Sequence, residues 1–316
     1  MKLQMPETLN KYIMKEFIWV VFLVMSISCA FAQTKHEWKV TLNIVDDDGQ
    51  PVTRVNAGVG YYTNRVSTSI NGLTDTNGSF TASNSSYGGE LGFAAEKPGY
   101  YTTRIPYLLG FGYNAIEWNP VKTLVLKKIE TPIPMYAKRL NAQPPENGKP
   151  VGYDLMVGDW VVPYGKGITT DIFFTREYNR KSLQDYDYKL TVGFPKSEDG
   201  IQAFPVQYRN MEGSALRSPH KAPTNGYQTQ IVKLNVSHPG QKLIFDYDEN
   251  RVYIFRVRTA VDNRGNIISA HYGKIYGDFM QFKYYLNPTP NSRNIEFDPK
   301  QNLFKNLKPD EIVSAP

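Results

Sequence analysis

Asp75, Asn77 and Ser79, in the stretch "GLTDTNGSF" at residues 72–80, alternate oxygen-bearing side chains as a calcium-binding loop does. An EF-hand loop also wants glycine at its sixth position and an acidic residue at its twelfth. Counted from Asp75, those positions hold Phe80 and Ser86. The same stretch contains Asn77-Gly78, a pair that supplies the positive φ angles of a tight hairpin turn. A hairpin is therefore expected here, with Asp75 and Asn77 kept as the calcium candidates.

Other metal chemistry has less to build on. The histidines His36, His220, His238 and His271 are dispersed and form no H-x-H or H-E-x-x-H pattern. Asp46, Asp47 and Asp48 precede Gly49, and consecutive strand residues point to opposite faces, so a solvated turn is expected there. "DYDEN", residues 246–250, reads the same way. No G-x-S-x-G elbow or hydrolase-like S-x-x-K is present. The Tyr164-Gly165-Lys166-Gly167 run does not link a strand to a helix, so it is no phosphate loop. If the protein were a glycoside hydrolase, Asp159 beside Trp160 would pair with Asp171, since that chemistry needs two facing carboxylates. The plainer expectation is that Asp159 closes a turn after Gly158 and Trp160 caps the core.

Aromatic residues offer another chemistry. Exposed Tyr and Trp rings give the apolar faces of sugars a flat, rigid platform. Tyr61-Tyr62, Tyr100-Tyr101, Tyr113, Trp118 and Trp160 are the pool. Neighbouring strand residues face opposite ways, so one ring of each pair is available. The ligand-binding candidates are Tyr61, Tyr100, Trp118 and Trp160, against the background that tyrosine fills strand positions in any β-protein.

The elements that must position these groups are strands. The chain has 316 residues, a net charge of +6, 22 tyrosines and 4 histidines. Its length suits two domains, and its basic residues form no run that would mark a nucleic-acid footprint. "MKEFIWVVFLVMSISCAFAQ" places Lys15 before an apolar run from Phe17 to Ile27, with Ala30 and Ala32 in an A-x-A arrangement. That is the layout of a secretory signal peptide cleaved after Ala32, with Met14 the expected start of translation and residues 1–32 lost on export. A lipid anchor at Cys29 is the alternative, although Ser26 stands where an aliphatic residue is usual. Cleavage after Ala32 would remove the only cysteine and with it any disulfide or thiolate chemistry.

From Trp38 onward apolar and polar residues alternate, as in "WKVTLNIV", and Gly, Asn or Pro separates the short runs. "VDDDGQPV", "GLTDTNGSF" and "AAEKPGYYTTR", in that order, resemble the carboxypeptidase regulatory-like family over residues 38–128. The resemblance implies a transthyretin-like, Ig-like β-sandwich that binds or supports and carries no catalytic residues. The insert "PYLLGFGYNAIEWNP" is longer than that family's pattern.

Residues 129–150 hold five prolines and read as a linker without a helix or central strand, although "PIPMYAKR" has apolar anchors for the next domain. Residues 151–305 are again rich in β-branched and aromatic runs, and "DEN" and "DNRGN" make corners of a terminal meander. A second, larger β-sandwich is expected there, of jelly-roll type, followed by a tail at 306–316. The linker, "VGYDLMVGDWVVPYGKG" and "YYLNPTPNSRNIEFDP" together resemble uncharacterised secreted bacterial proteins.

The sequence thus predicts an all-β, secreted or cell-surface protein without catalysis or cofactor, and with glycan as its ligand. A structural envelope protein that binds another protein is the first alternative. A hydrolase using paired carboxylates is the second.

Overall fold

The computed structural model describes residues 36–63, 66–86, 89–109, 118–141, 143–206, 213–248, 250–279 and 281–316. The signal-peptide reading, the lipid-anchor reading at Cys29 and the Tyr113 candidate lie outside them. The chain is all-β, with one short 3-10 helix at Pro309–Glu311 among the described residues. No helix among them is long and apolar enough to cross a membrane.

The first sandwich is built from β1 (His36–Val45), β2 (Asn56–Thr63), β3 (Val66–Leu73), β4 (Ser79–Ser86), β5 (Gly89–Glu96), β6 (Thr103–Leu109) and β7 (Val121–Val125). One sheet has the order β4-β1-β7, with β1 and β7 parallel; the other contains β6-β5-β2-β3. Alternation buries Trp38, Val40, Leu42 and Ile44 of β1 against Val59, Leu91 and Phe93 of the facing sheet.

The second sandwich begins earlier than the prolines suggested. Residues 129–150, read as a linker, contain β8 (Ile133–Asn141), which lies between two other strands of a six-stranded sheet. Pro132 and Pro134 stand at its start and Pro144, Pro145 and Pro150 beyond its end. The rungs from Tyr136 to Asn141 are therefore free of proline and can donate every N–H. Met135 and Ala137 are buried.

The remaining strands are β9 (Pro150–Asp154), β10 (Asp159–Trp160), β11 (Ile172–Ser182), β12 (Asp185–Gly193), β13 (Gly200–Phe204), β14 (Gly213–Ser214), β15 (Gln230–Ser237), β16 (Ile244–Phe245), β17 (Val252–Val261), β18 (Ile267–Gly277), β19 (Gln281–Leu286) and β20 (Phe297–Asn302). Without β14 and together with β8, they form two six-stranded sheets, β10-β9-β11-β12-β15-β16 and β13-β17-β18-β19-β8-β20. The "DNRGN" corner joins the paired strands β17 and β18, but β16 and β17, on either side of "DEN", lie in different sheets, so the meander expected through both corners is replaced by one of β17, β18 and β19. Consecutive strands here mostly stay within one sheet, whereas a jelly roll passes them from sheet to sheet.

Ile172, Phe174, Leu190 and Val192 from the first of these sheets meet Tyr253, Phe255, Ile275 and Tyr284 from the second. The second sheet is also covered on its other side, where Met135, Tyr276, Tyr285, Phe297 and Val313 pack together. That double burial accounts for the near-continuous apolar run of β17, "VYIFRV". Strand β14 crosses over and pairs with β6, so the second region lends an edge strand to the first sandwich.

Candidate functional site

The acidic candidates come first. Asp75 Oδ1 accepts the backbone N–H groups of Asn77 (2.9 Å) and Ser79 (2.8 Å), and Gly78 has φ +71°. Asn77 is not among the positive-φ residues, so the corner needs one such residue and not the expected two. Gly78 is required twice over, because a Cβ there would stand 2.6 Å from the Ile44 carbonyl. The same D-x-x-G-x device recurs. Asp46 Oδ1 accepts from Asp48 and Gln50, and Asp262 Oδ1 accepts from Arg264 and Asn266. The alternating oxygens of "DTNGS" thus belong to a hairpin corner, with the aspartate turned back onto its own backbone.

Asp171 and Asp159 are held by separate sets of partners. Asp171 is sealed from solvent and held by a two-pronged contact with Arg258, at 2.7 Å to Oδ1 and 3.0 Å to Oδ2. Asp159 accepts the backbone N–H groups of Trp160 (2.9 Å) and Lys166 (2.9 Å), which closes the loop after Gly158 as the plainer expectation had it. The organiser of this region is Asp154, which sequence reasoning passed over. Its carboxylate accepts from the N–H groups of Met156, Val157, Ile168 and Thr169 and from Arg258 at 2.9 Å. Burial alone would raise the Asp154 carboxyl, but the donors from Thr169, Val157 and Ile168 and the Arg258 charge hold it below the usual range. Arg258 sits at a bulge in β17 with φ +55°, which turns its guanidinium out of the strand's alternation and toward both aspartates.

The aromatic candidates fall in two separate cores. Tyr61 is buried with its ring edge-on to Trp38 at 5.3 Å, and Asn84 Nδ2 donates to its hydroxyl. Tyr100 and Trp118 are half-buried against that same first core. Trp160 is half-buried in the second sandwich, packed on Tyr153 at 5.2 Å and Phe174 at 5.6 Å. The structure does not bring these four together.

What it does bring together lies on β11, β12 and β15. Ile172 and Phe174 of β11 enter the core, and period two carries Arg176, Tyr178 and Arg180 onto the same face beyond it. Leu190 and Val192 of β12 likewise continue into Tyr188 and Tyr186. The register sets Tyr178 opposite Tyr188, and Tyr188 opposite Asn235; Arg180 faces Tyr186. Where the facing sheet ends, this overhang opens a groove of about 610 Å³ lined by Arg176, Tyr178, Arg180, Tyr186, Tyr188 and Asn235. The Tyr186 hydroxyl donates to Asn235 Oδ1 at 2.9 Å. Arg176 Nε is buried with no hydrogen-bond partner among the described residues.

The rings continue from the groove. Centroids run from Tyr178 to Tyr188 (5.8 Å), on to Tyr247 (6.3 Å) and to Phe245 (5.6 Å). Tyr178 is 40% and Phe245 53% exposed, so the row is open at both ends. Tyr247 and Phe245 are walls of a second cavity, and Gln281 lines both. The sequence signal for the groove was a strand face that changes along its length from Phe, Leu and Val to Tyr and Arg.

The histidines remain dispersed, and no group of three or more metal-ligating side chains occurs among the described residues. His220 contacts the Lys128 carbonyl at 2.8 Å and His271 the Asn287 carbonyl at 3.2 Å. His238 lies between Asp185 (2.9 Å) and Asp187 (3.1 Å), and the Asp185 hydrogen bond raises its pKa above the ordinary value.

No family model matches the chain, and no curated protein does. Among solved structures, a streptococcal ancillary pilin is 13% identical at a TM-score of 0.23; the match covers 69% of this chain and 52% of the pilin. This chain therefore spans about half the pilin's length. A candidate membrane-associated protein of unknown function from Bacteroides fragilis NCTC 9343 is 10% identical at a TM-score of 0.19, with coverage of 82% and 100%. Similarity at that level carries no argument about what this chain does.

Proposed function

We propose that this protein is a non-catalytic binding module of the cell surface or its exterior, and that its ligand is a glycan taken up in the groove of the second sandwich. The observation that carries this is the overhanging face of β11, β12 and β15, where Tyr178, Tyr186 and Tyr188 stand among Arg176, Arg180 and Asn235. Rings offer sugar C–H faces a surface with little entropy to lose, and guanidinium and amide groups meet hydroxyls at the edges. The groove sits on paired strands, so the platform is rigid before a ligand arrives. The first sandwich, in this reading, is a frame of the carboxypeptidase regulatory-like kind. The leader-like segment ahead of Gln33 supports export.

A pull-down of purified residues 33–316 on insoluble and soluble polysaccharides tests this, with a known sugar-binding module as control. Retention by at least one glycan is expected. Tyr178→Ala should weaken it by about tenfold, as loss of a central aromatic contact does. No retention across the panel, or equal retention by the variant, would overturn the assignment.

A second reading is favoured by one edge. Leu243, Ile244 and Phe245 are exposed in succession at β16, the last strand of its sheet. An apolar strand edge can pair with another chain, which suits an envelope protein that assembles with a protein partner.

A further inference from the structure

The second cavity, about 660 Å³, lies where the two sandwiches meet. The first sandwich contributes Thr102 and Arg104 near the start of β6, and the crossing strand β14 contributes Gly213 and Ser214. The wall opposite comes from β8 and β19 through Arg139, Gln281, Phe282 and Lys283. Its charge is one-sided. Arg104, Arg139, Arg217 and Lys283 line it, against one carboxylate, Asp278, among the described lining residues.

Arg104 is answered on the exterior by Glu96 at 3.0 Å. Arg139 and Lys283 are answered by no ion pair among the described residues, and they stand directly opposite each other across β8 and β19. Like charges in that register repel and are ordinarily avoided in a sheet. Arg217 adds a third positive charge, donating to the Asn250 carbonyl while its guanidinium lies 5.4 Å from the centre of the Tyr276 ring. Burial lowers the pKa of Lys283, and the nearby Arg139 and Arg217 charges lower it further. Behind Tyr276 sits Lys274, fully buried, with its ammonium 5.0 Å from the centre of that ring. Burial lowers the pKa of Lys274, so the charge that matters is that of Arg139, Lys283 and Arg217 on the cavity wall, whose repulsion an anion would relieve.

We infer that this junction cavity is an anion subsite that takes the acidic group of a sugar, a carboxylate or a sulfate, so that the glycan recognised by the protein is an acidic one. Planar guanidinium groups match either oxyanion with paired N–H donors. Tyr247 and Phe245, shared with the ring row of the groove, give the sugar carrying that group a surface to lie on. Gln281, common to both cavities, marks where one chain of sugars would pass between them. The choice of a sugar rests on the proposed function; the anion site itself does not.

The experiment is calorimetric titration of residues 33–316, and of the double variant Arg139→Gln/Lys283→Gln, with a uronic-acid trisaccharide, a sulfated disaccharide and a neutral trisaccharide. Inorganic sulfate against chloride at equal ionic strength, read by thermal shift, forms a separate arm. The expected result is that one acidic sugar binds at least tenfold tighter than the neutral one. That preference should fall with salt and vanish in the double variant, while Tyr178→Ala weakens acidic and neutral sugars alike. Which acidic sugar binds distinguishes carboxylate from sulfate. If no sugar binds but sulfate raises the melting temperature of the parent and not of the variant, the anion site stands and the glycan assignment falls. A neutral sugar bound as tightly as the acidic ones, or a preference and sulfate effect unchanged in the double variant, would overturn the subsite. Equal stabilisation by sulfate and chloride with no binding of acidic sugar would overturn it too.

Discussion

At the scale of single residues, carboxylates here act chiefly as acceptors for backbone N–H groups. Asp46, Asp75 and Asp262 do so within five-residue corners, where the partner lies two and four positions on. Such corners are legible in sequence because their chemistry is local. Asp154 and Asp171 also accept from the side-chain guanidinium of Arg258, 104 and 87 residues away, and nothing near either aspartate announces that partner. Removing one member of a buried, hydrogen-bonded ion pair leaves the other uncompensated, at a cost of roughly 3–5 kcal/mol. Arg258→Ala, which leaves the sealed Asp171 carboxylate with no counter-charge, should therefore lower stability by about that much in chemical denaturation, while Asp159→Ala, which frees two backbone N–H groups in an accessible loop, costs about 1 kcal/mol. Equal effects would contradict the ranking. His238 supplies the pH dependence. Its pKa is raised in the folded state by the hydrogen bond to Asp185 and the nearby Asp187. The stabilisation it contributes is complete below the ordinary imidazole value of about 6.5 and is lost as pH rises through the raised one. A titration of the imidazole carbon protons by NMR should find that raised value, and Asp185→Asn should bring it down.

At the scale of elements, β8 decides most. Read by composition, its surroundings are a proline-rich connector; in the fold it is an inner strand with Met135 and Ala137 buried. The prolines bracket the ladder, so their count misled where their positions would not have. Met135→Ala should cost about 2–5 kcal/mol, as for other core methionines cut to alanine. A connector would lose almost nothing, and chemical denaturation separates the two. Strands β11 and β12 carry the complementary lesson. Both were visible as strands, and their period-two faces change character from Phe174 to Tyr178 and from Leu190 to Tyr186. That change marks where the facing sheet stops covering them.

At the scale of the molecule, the two sandwiches are fastened by a few buried contacts. Glu296, 1% exposed, accepts the Tyr101 hydroxyl (2.7 Å) from the first sandwich and the N–H groups of Glu130 (3.0 Å) and Thr131 (2.7 Å). Lys127 Nζ donates to the Ser218 carbonyl at 3.0 Å, and the β14–β6 pairing adds a shared sheet edge. With that coupling the intact chain should unfold in one calorimetric transition. Glu296→Ala strands the buried Tyr101 hydroxyl, at a cost of about 1–3 kcal/mol, frees two part-buried N–H groups, and should split the transition in two. Two transitions in the parent would show that the junction is weaker than these contacts imply.

The sequence by itself determined the β class, the aspartate corners and the hairpin of β17 and β18, because each rests on interactions within a few residues or on period-two burial. Only the tertiary structure decided which tyrosines stand in a groove, that β8 is an inner strand, and that Arg139, Arg217 and Lys283 share one cavity. Those outcomes depend on which strands pair and where one sheet outruns another. Register and overhang are set by contacts between residues distant in the chain, and no local spacing records them.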